Sequence, residues 1–210
     1  MNDFRLIETM RVSEAGQVCL LERHIDRLSR SADYFSFTLH RAQLRDEIRR
    51  ALPQQASACC LRLELSNIGA VSFECRALPV RYARRLKLST VRVNSNDVFL
   101  YHKTTNRGIY ELVRQECDDD TDAILVNEHG EITETTIMNI AVWRDGHWIT
   151  PQVTCGLLPG VMREELLSRG DIVEGVIRAD DLQPGEIVRC FNALRGVLAA
   201  DYTGSADFNL

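Results

Sequence analysis

Lysine is nearly missing from this 210-residue chain: of its 25 Lys and Arg residues, only Lys87 and Lys103 are lysine. Arginine replaces lysine in surface charge and solubility. It does not replace it where a free amine must form a Schiff base or take up a proton, because the guanidinium keeps its charge. Lys103, in Tyr101-His102-Lys103-Thr104-Thr105-Asn106-Arg107, is therefore a candidate for chemistry. The plain alternative is compositional bias with two survivors.

Other absences narrow the field. A net charge of -5 excludes the basic excess of a dedicated nucleic-acid binder. No run approaches the roughly 20 apolar residues of a membrane span. Met1-Asn2-Asp3-Phe4-Arg5 lacks the basic start and long apolar run of a secretory leader. Seven cysteines (Cys19, Cys59, Cys60, Cys75, Cys117, Cys155, Cys190) form no C-x-x-C pair and sit mostly in apolar stretches. That usage suits a reducing cytoplasm. His24, His40, His102, His129 and His147 are scattered without metal-ligand spacing, so no metal site is expected. There is no G-x-S-x-G elbow, no P-loop and no zinc spacing, which leaves a hydrolase reading without support.

What remains is an ordinary globular composition, 45% hydrophobic and 26% charged. Hydrophobic alternation predicts strands over 4–12, 17–21, 59–65, 70–77 and 86–93. Ile25, Leu28, Ala32 and Phe35 recur at helical spacing, so 22–35 reads as an amphipathic helix, followed by a second over 41–52 before Pro53. The turn-rich Asn94-Ser95-Asn96-Asp97 is the best boundary, giving domains 1–93 and 94–210. Beyond it, a helix is expected from about Thr105, with Ile109, Leu112 and Val113 on one face. Asp118 to Asp122 reads as a solvated loop, and 123–127 as a strand. A hairpin is expected around Asp145-Gly146, with strands 137–143 and 148–150. Pro159 and Gly160 open a helix ending at Gly170, and strands follow over 172–177 and 186–191. The fold class is α+β.

Three segments of the second half carry candidate chemistry. Besides Lys103 there is Glu131-Ile132-Thr133-Glu134-Thr135-Thr136-Ile137-Met138-Asn139, entering the hairpin. The third is Cys155-Gly156-Leu157-Leu158-Pro159-Gly160-Val161-Met162-Arg163, entering a helix. A helix N-terminus offers unpaired N–H groups to an anion, and Gly160 would admit a ligand close to the backbone. Each feature also has a plain reading: Glu134 as a solvated carboxylate, Gly160 as an ordinary helix start, Arg27 as a surface residue. Taken together, an amine, a carboxylate, a helix N-terminus and an arginine are what pyridoxal phosphate (PLP) requires. The lysine takes its aldehyde, the carboxylate faces its ring nitrogen, and the other two take its phosphate.

The order and spacing of these segments resemble the fold-type IV PLP enzymes, the class IV aminotransferase family, over nearly the whole chain. That family includes branched-chain and D-amino acid aminotransferases and aminodeoxychorismate lyases. Leu20-Leu21-Glu22-Arg23-His24-Ile25-Asp26-Arg27-Leu28 is similar to the family's early helix, which implies phosphate binding by Arg27. Lys103 matches the PLP lysine. Glu134 and Asn139 match E-x-x-x-x-N, whose glutamate faces the pyridine nitrogen. Leu158 to Arg163 matches L-P-G-[IV]-x-R, with phosphate held at Gly160, Val161 and Met162. Phe191 to Gly196 resembles the loop that closes the phosphate cup, which implicates Asn192 and Ala193. His102-Lys103-Thr104-Thr105, Gly156 to Val161 and Asn192 to Gly196 look most like the aminodeoxychorismate lyases.

The resemblance implies a two-domain fold like D-amino acid aminotransferase, a small-molecule amine substrate, a homodimer and a cytoplasmic setting. It implies conversion of 4-amino-4-deoxychorismate to 4-aminobenzoate and pyruvate. A branched-chain or D-amino acid aminotransferase is the alternative, and a non-catalytic PLP-binding relative the second. Longer members carry an extra strand and a glycine-rich turn before an F-E-T-x-R stretch. Here Ile7-Glu8-Thr9-Met10-Arg11 takes that place almost at the start, so the chain reads as N-terminally short.

Overall fold

The first helix shows how sequence period becomes burial. α1 (Leu21–Phe35) buries His24, Ile25, Arg27, Leu28, Ser31 and Ala32, one face at a spacing of three and four. It packs on a three-stranded antiparallel sheet of β1 (Leu6–Val12), β2 (Cys59–Leu65) and β3 (Val71–Ala77), in that order. α2 (Arg41–Ala51) adds Leu44 and Ile48 to the same core. The core face of β1 carries Leu6, Met10 and Val12; that of β2 carries Cys59, Leu61, Leu63 and Leu65. Alternation therefore puts Glu8 on the core side of β1. The structure, a computed structural model, describes residues 4–53, 57–79 and 82–205. Met1 to Asp3, part of the segment read for a leader, lie outside these residues.

The rest of the strands form one eight-stranded sheet. In chain order they are β4 (Arg85–Val93), β5 (Thr121–Asn127), β6 (Ile132–Thr135), β7 (Asn139–Arg144), β8 (His147–Pro151), β9 (Val173–Gly175), β10 (Ile187–Asn192) and β11 (Gly196–Ser205). Across the sheet the order is β6-β5-β4-β11-β10-β7-β8-β9. β4 pairs in parallel with both β5 and β11, and β8 with β9; the other pairs are antiparallel. β5 is buried along its whole length. Ile124 and Val126 join one core; Ala123 and Leu125 join another with Tyr110 and Val113 of α3 (Gly108–Arg114). A strand covered on both faces needs a continuous apolar run, as Ala-Ile-Leu-Val provides. α4 (Val161–Arg169) packs Met162, Leu166 and Leu167 against Ala141 and Phe191.

The chain divides into two units. One comprises Met1–Val80, His102–Asn106 and Ala193–Arg195; the other Arg81–Tyr101, Arg107–Asn192 and Gly196–Leu210. The sequence-based boundary at 93/94 differs from this division, because β4 pairs within the large sheet. Three local expectations are corrected. Residues 17–21 form no strand: Val18 makes one bridge to Val12, and Leu20 turns through a left-handed φ of 54° into α1. The helix expected near Thr105 begins at Gly108, because the preceding residues pair with β1 instead. Asp122 is buried in β5 rather than solvated, its Oδ1 accepting from Ala123 N–H at 2.9 Å and Thr136 Oγ1 at 2.7 Å. β11 was not expected at all. The Asp145-Gly146 hairpin joins Arg144 to His147 with φ of 49° and 82°, the pair of positive angles a two-residue type I′ turn requires.

Candidate active site

In the first unit, Lys103 is held by its backbone. The Lys103 carbonyl accepts from Ile7 N–H at 2.9 Å, Thr105 N–H donates to the Arg5 carbonyl at 2.9 Å, and Thr104 bridges Leu6. The lysine thus sits in a short edge segment laid along β1. Its neighbour His102 meets Ser31 Oγ through Nδ1 at 2.9 Å and lies against the rings of Tyr34 and Phe35, at 4.6 and 4.8 Å between centroids. Lys103 itself is half-buried. The other lysine, Lys87, donates to the Glu116 carbonyl just beyond α3, a structural tie.

The same unit contains a buried charged cluster. Arg27 grips Glu8 with two bonds, Nε to Oε1 at 2.8 Å and Nη2 to Oε2 at 2.6 Å. His24 Nδ1 meets Oε2 at 2.6 Å. Burial on its own would raise the Glu8 pKa, but the charge of Arg27, that of His24 when protonated, and the hydrogen bonds from both outweigh it and bring it down to about 2. Burial lowers the pKa of His24; Glu8 opposes this, and the cations Arg27 and Lys103 reinforce it. At neutral pH His24 is therefore an uncharged Nδ1–H donor, and Arg27 is the cation that balances Glu8. Arg27, read from the sequence as a surface residue or a phosphate ligand, has its fork on Glu8.

In the second unit the turn from Thr135 to Met138 returns the chain from β6 to β7, with Thr135 N–H donating to the Met138 carbonyl at 2.8 Å. That turn brings Glu134, near the end of β6, beside Asn139, the first residue of β7. Glu134 is not a solvated carboxylate; it is 5% exposed. Its Oε1 accepts from Tyr110 Oη at 2.8 Å and Leu158 N–H at 3.1 Å, and its Oε2 from Asn139 Nδ2 at 3.2 Å. Asn139 also donates to the Leu158 carbonyl at 2.8 Å, which ties the segment before α4 to the hairpin. Gly160 adopts ordinary extended angles, φ −68° and ψ 143°. Its glycine has a packing reason: a Cβ there would lie 2.0 Å from Asn139 Oδ1.

Gly160 precedes α4 without a side-chain cap, so the helix start presents Val161 and Met162 with backbone N–H groups outward along the axis. The first turn does contain one acid, Glu164, whose own N–H closes onto the Gly160 carbonyl at 2.9 Å. Asn192 ends β10 and donates to the Ile137 carbonyl at 3.2 Å. Ala193 begins the short segment counted with the first unit, where Arg11 Nη1 reaches the Leu194 carbonyl at 3.2 Å.

The structure therefore gathers Glu134, Asn139, Gly160, Val161 and Met162 around one end of α4, and Lys103 with Arg27 in the first unit. Sequence reasoning gave no role to Glu8, His24 or Tyr110. Glu8 was visible as a charge in the core-facing set Leu6, Glu8, Met10, Val12. Tyr110 was visible as the residue one turn before Val113 on the buried face of α3. Among the described residues no group of His, Cys, Asp and Glu has the geometry for a metal ion, and no helix is long and apolar enough to cross a membrane.

A half-buried lysine in the first unit and, in the second, a buried carboxylate with three neutral donors and a helix start without a side-chain cap have the chemistry that PLP's aldehyde, ring nitrogen and phosphate call for. Residues 5–201 match the family model Amino-transferase class IV. A Schizosaccharomyces pombe protein named "Putative aminodeoxychorismate lyase" is 32% identical over 209 residues, covering 94% of this chain and 89% of its own. A solved Mesorhizobium loti chain, described as a "Putative amino-acid aminotransferase", is 34% identical with a TM-score of 0.87, covering 96% of this chain and all of its own. The 4-amino-4-deoxychorismate lyase of Pseudomonas aeruginosa superposes with a TM-score of 0.80 over 95% of this chain and 83% of its own; at 22% identity that likeness speaks for the fold. The chain belongs to the class IV aminotransferase family and is a PLP-dependent enzyme of fold-type IV.

Proposed function

We propose that the protein is a lyase that converts 4-amino-4-deoxychorismate to 4-aminobenzoate and pyruvate, a step of folate biosynthesis. The observation that carries the reading is the buried Glu134 with its Tyr110, Leu158 and Asn139 donors at the start of α4, together with the 32% identity to the fission-yeast relative. When bound, PLP supplies an electron sink for the carbanion formed at the carbon that bears the substrate nitrogen. Lys103 Nζ holds the cofactor. The same amine is the base that would take the proton from that carbon. Glu134 keeps a proton on the ring nitrogen. The N–H groups of Val161 and Met162, the turn at Gly160 and the Asn192–Ala193 segment receive the phosphate. Arg27 joins them, its orientation fixed by the two bonds to Glu8.

An aminotransferase shares every one of these roles up to the proton abstraction, and the Mesorhizobium likeness favours it as a second reading. Incubation with 4-amino-4-deoxychorismate and no amino acceptor separates the two. Pyruvate and 4-aminobenzoate in equal amounts support the lyase. Amino transfer to 2-oxoglutarate without elimination overturns it. We further read the enzyme as a homodimer, on the resemblance to its family, with sedimentation as the check. A cytoplasmic setting rests on the seven free thiols.

A further inference from the structure

We propose that Tyr110 is a positioning residue: its hydroxyl keeps Glu134 ionised, so that the proton between that carboxylate and a cofactor ring nitrogen resides on the ring. The inference rests on the ring-nitrogen role given to Glu134 above. A carboxylate removed from water tends to take up a proton, because burial penalises its charge. A protonated Glu134 would leave the ring nitrogen neutral and the electron sink weak. Donors that bond to the ionised form oppose this.

Tyr110, Asn139 and Leu158 are such donors to Glu134, and none of these three carries a charge that would compete with a protonated ring. Leu158 contributes a backbone N–H. Asn139 is also bound to the Leu158 carbonyl and packs against Gly160. Tyr110 contributes the shortest of the three bonds, at 2.8 Å, from a buried side chain. Burial, then the charge and hydrogen bond of Glu134, push its phenol well above the usual value, with Arg107 acting weakly the other way and Asp97 with them. Tyr110 therefore remains a donor at any working pH.

The ring is also fixed in place. The Arg107 guanidinium lies 4.5 Å from its centroid, and Arg107 Nη2 is anchored on the Thr136 carbonyl at 2.7 Å. Val113 and Leu125 pack in the same core. Tyr110→Phe removes the donor and leaves this packing intact, so it isolates the hydrogen bond from the fold.

The test uses holoenzyme loaded with PLP labelled with ¹⁵N at the ring nitrogen. The ¹⁵N shift against pH gives the midpoint at which the ring loses its proton, in wild type, Tyr110→Phe and Glu134→Gln. Tyr110→Phe should lower that midpoint by about one pH unit, the tenfold expected from one hydrogen bond to a charged group. kcat should fall about tenfold with KM within about twofold, and apoprotein melting should stay at the wild-type value. Should Tyr110→Phe fail to fold, 3-fluorotyrosine placed at position 110 is a stronger donor of the same shape and should raise the midpoint. An unmoved midpoint in either Tyr110 variant, with Glu134→Gln shifted, overturns the Tyr110 role alone. A midpoint unmoved in Glu134→Gln, or an unprotonated ring in wild type at neutral pH, overturns the Glu134 reading and this inference with it.

Discussion

Two buried glutamates, Glu8 and Glu134, have opposite surroundings. Glu8, 2% exposed, is enclosed by a bidentate arginine and a histidine, and its charge is balanced within the protein. Glu134, 5% exposed, accepts from three neutral donors: a phenol, an amide and a backbone N–H. The first arrangement is a closed ion pair whose work is to orient Arg27. The second offers an ionised carboxylate three neutral donors, which favour its charge without cancelling it. Burial alone does not identify a functional acid; the charge of its partners does.

The largest expected effect tests the closed pair. Glu8→Gln leaves Arg27 buried without its counter-ion and should cost about 3–5 kcal/mol of stability, read as a fall in denaturant midpoint. A loss below about 1 kcal/mol would mean the pair is solvated in solution. Acid should attack the same cluster. Glu8 falls from 4.5 in the unfolded chain to about 2 in the fold. Its contribution is therefore complete above about pH 4.5 and disappears as pH drops toward 2, at most about 3 kcal/mol. His24 is also depressed in the fold, so the unfolded chain takes up its proton first and stability starts to decline as pH passes below 6.5. Chemical denaturation at pH 7, 5 and 3 should show a stepwise loss, and a flat profile would contradict the cluster's electrostatics. The smallest effect on the fold is expected at the other glutamate. Glu134→Gln should melt close to wild type yet lower kcat about a hundredfold, about 2.7 kcal/mol in the barrier. An unchanged kcat would remove Glu134 from the chemistry.

The same contrast explains what was legible in the sequence. Local rules were enough for the Asp145-Gly146 turn, for the apolar stripe of α1, and for β2 and β3, because period and turn chemistry are written within a few residues. Lys103, Glu134 and the Gly160 helix start stood out through residue type and resemblance. The distinction between Glu8 and Glu134 was not legible, since it depends on partners 19 and 24 positions away, Arg27 and Tyr110. β11 was missed because Gly196-Val197-Leu198-Ala199-Ala200 is rich in small residues with weak strand preference. Its conformation comes from being paired on both sides, by β10 and β4. The start of α3 was misplaced for the same kind of reason: 102–106 follows β1 rather than its own helical tendency. A packing reason for glycine at 160 was not legible either, because Asn139, far along the chain, occupies the space of a side chain there.

The scarcity of lysine makes the central claim testable by one measurement. Borohydride reduction of the PLP-loaded protein fixes the cofactor on whichever amine holds it, and peptide mass spectrometry then reads the position. The account predicts one phosphopyridoxyl group per chain, on the peptide containing Lys103. A group on Lys87, or none on either lysine, would contradict it.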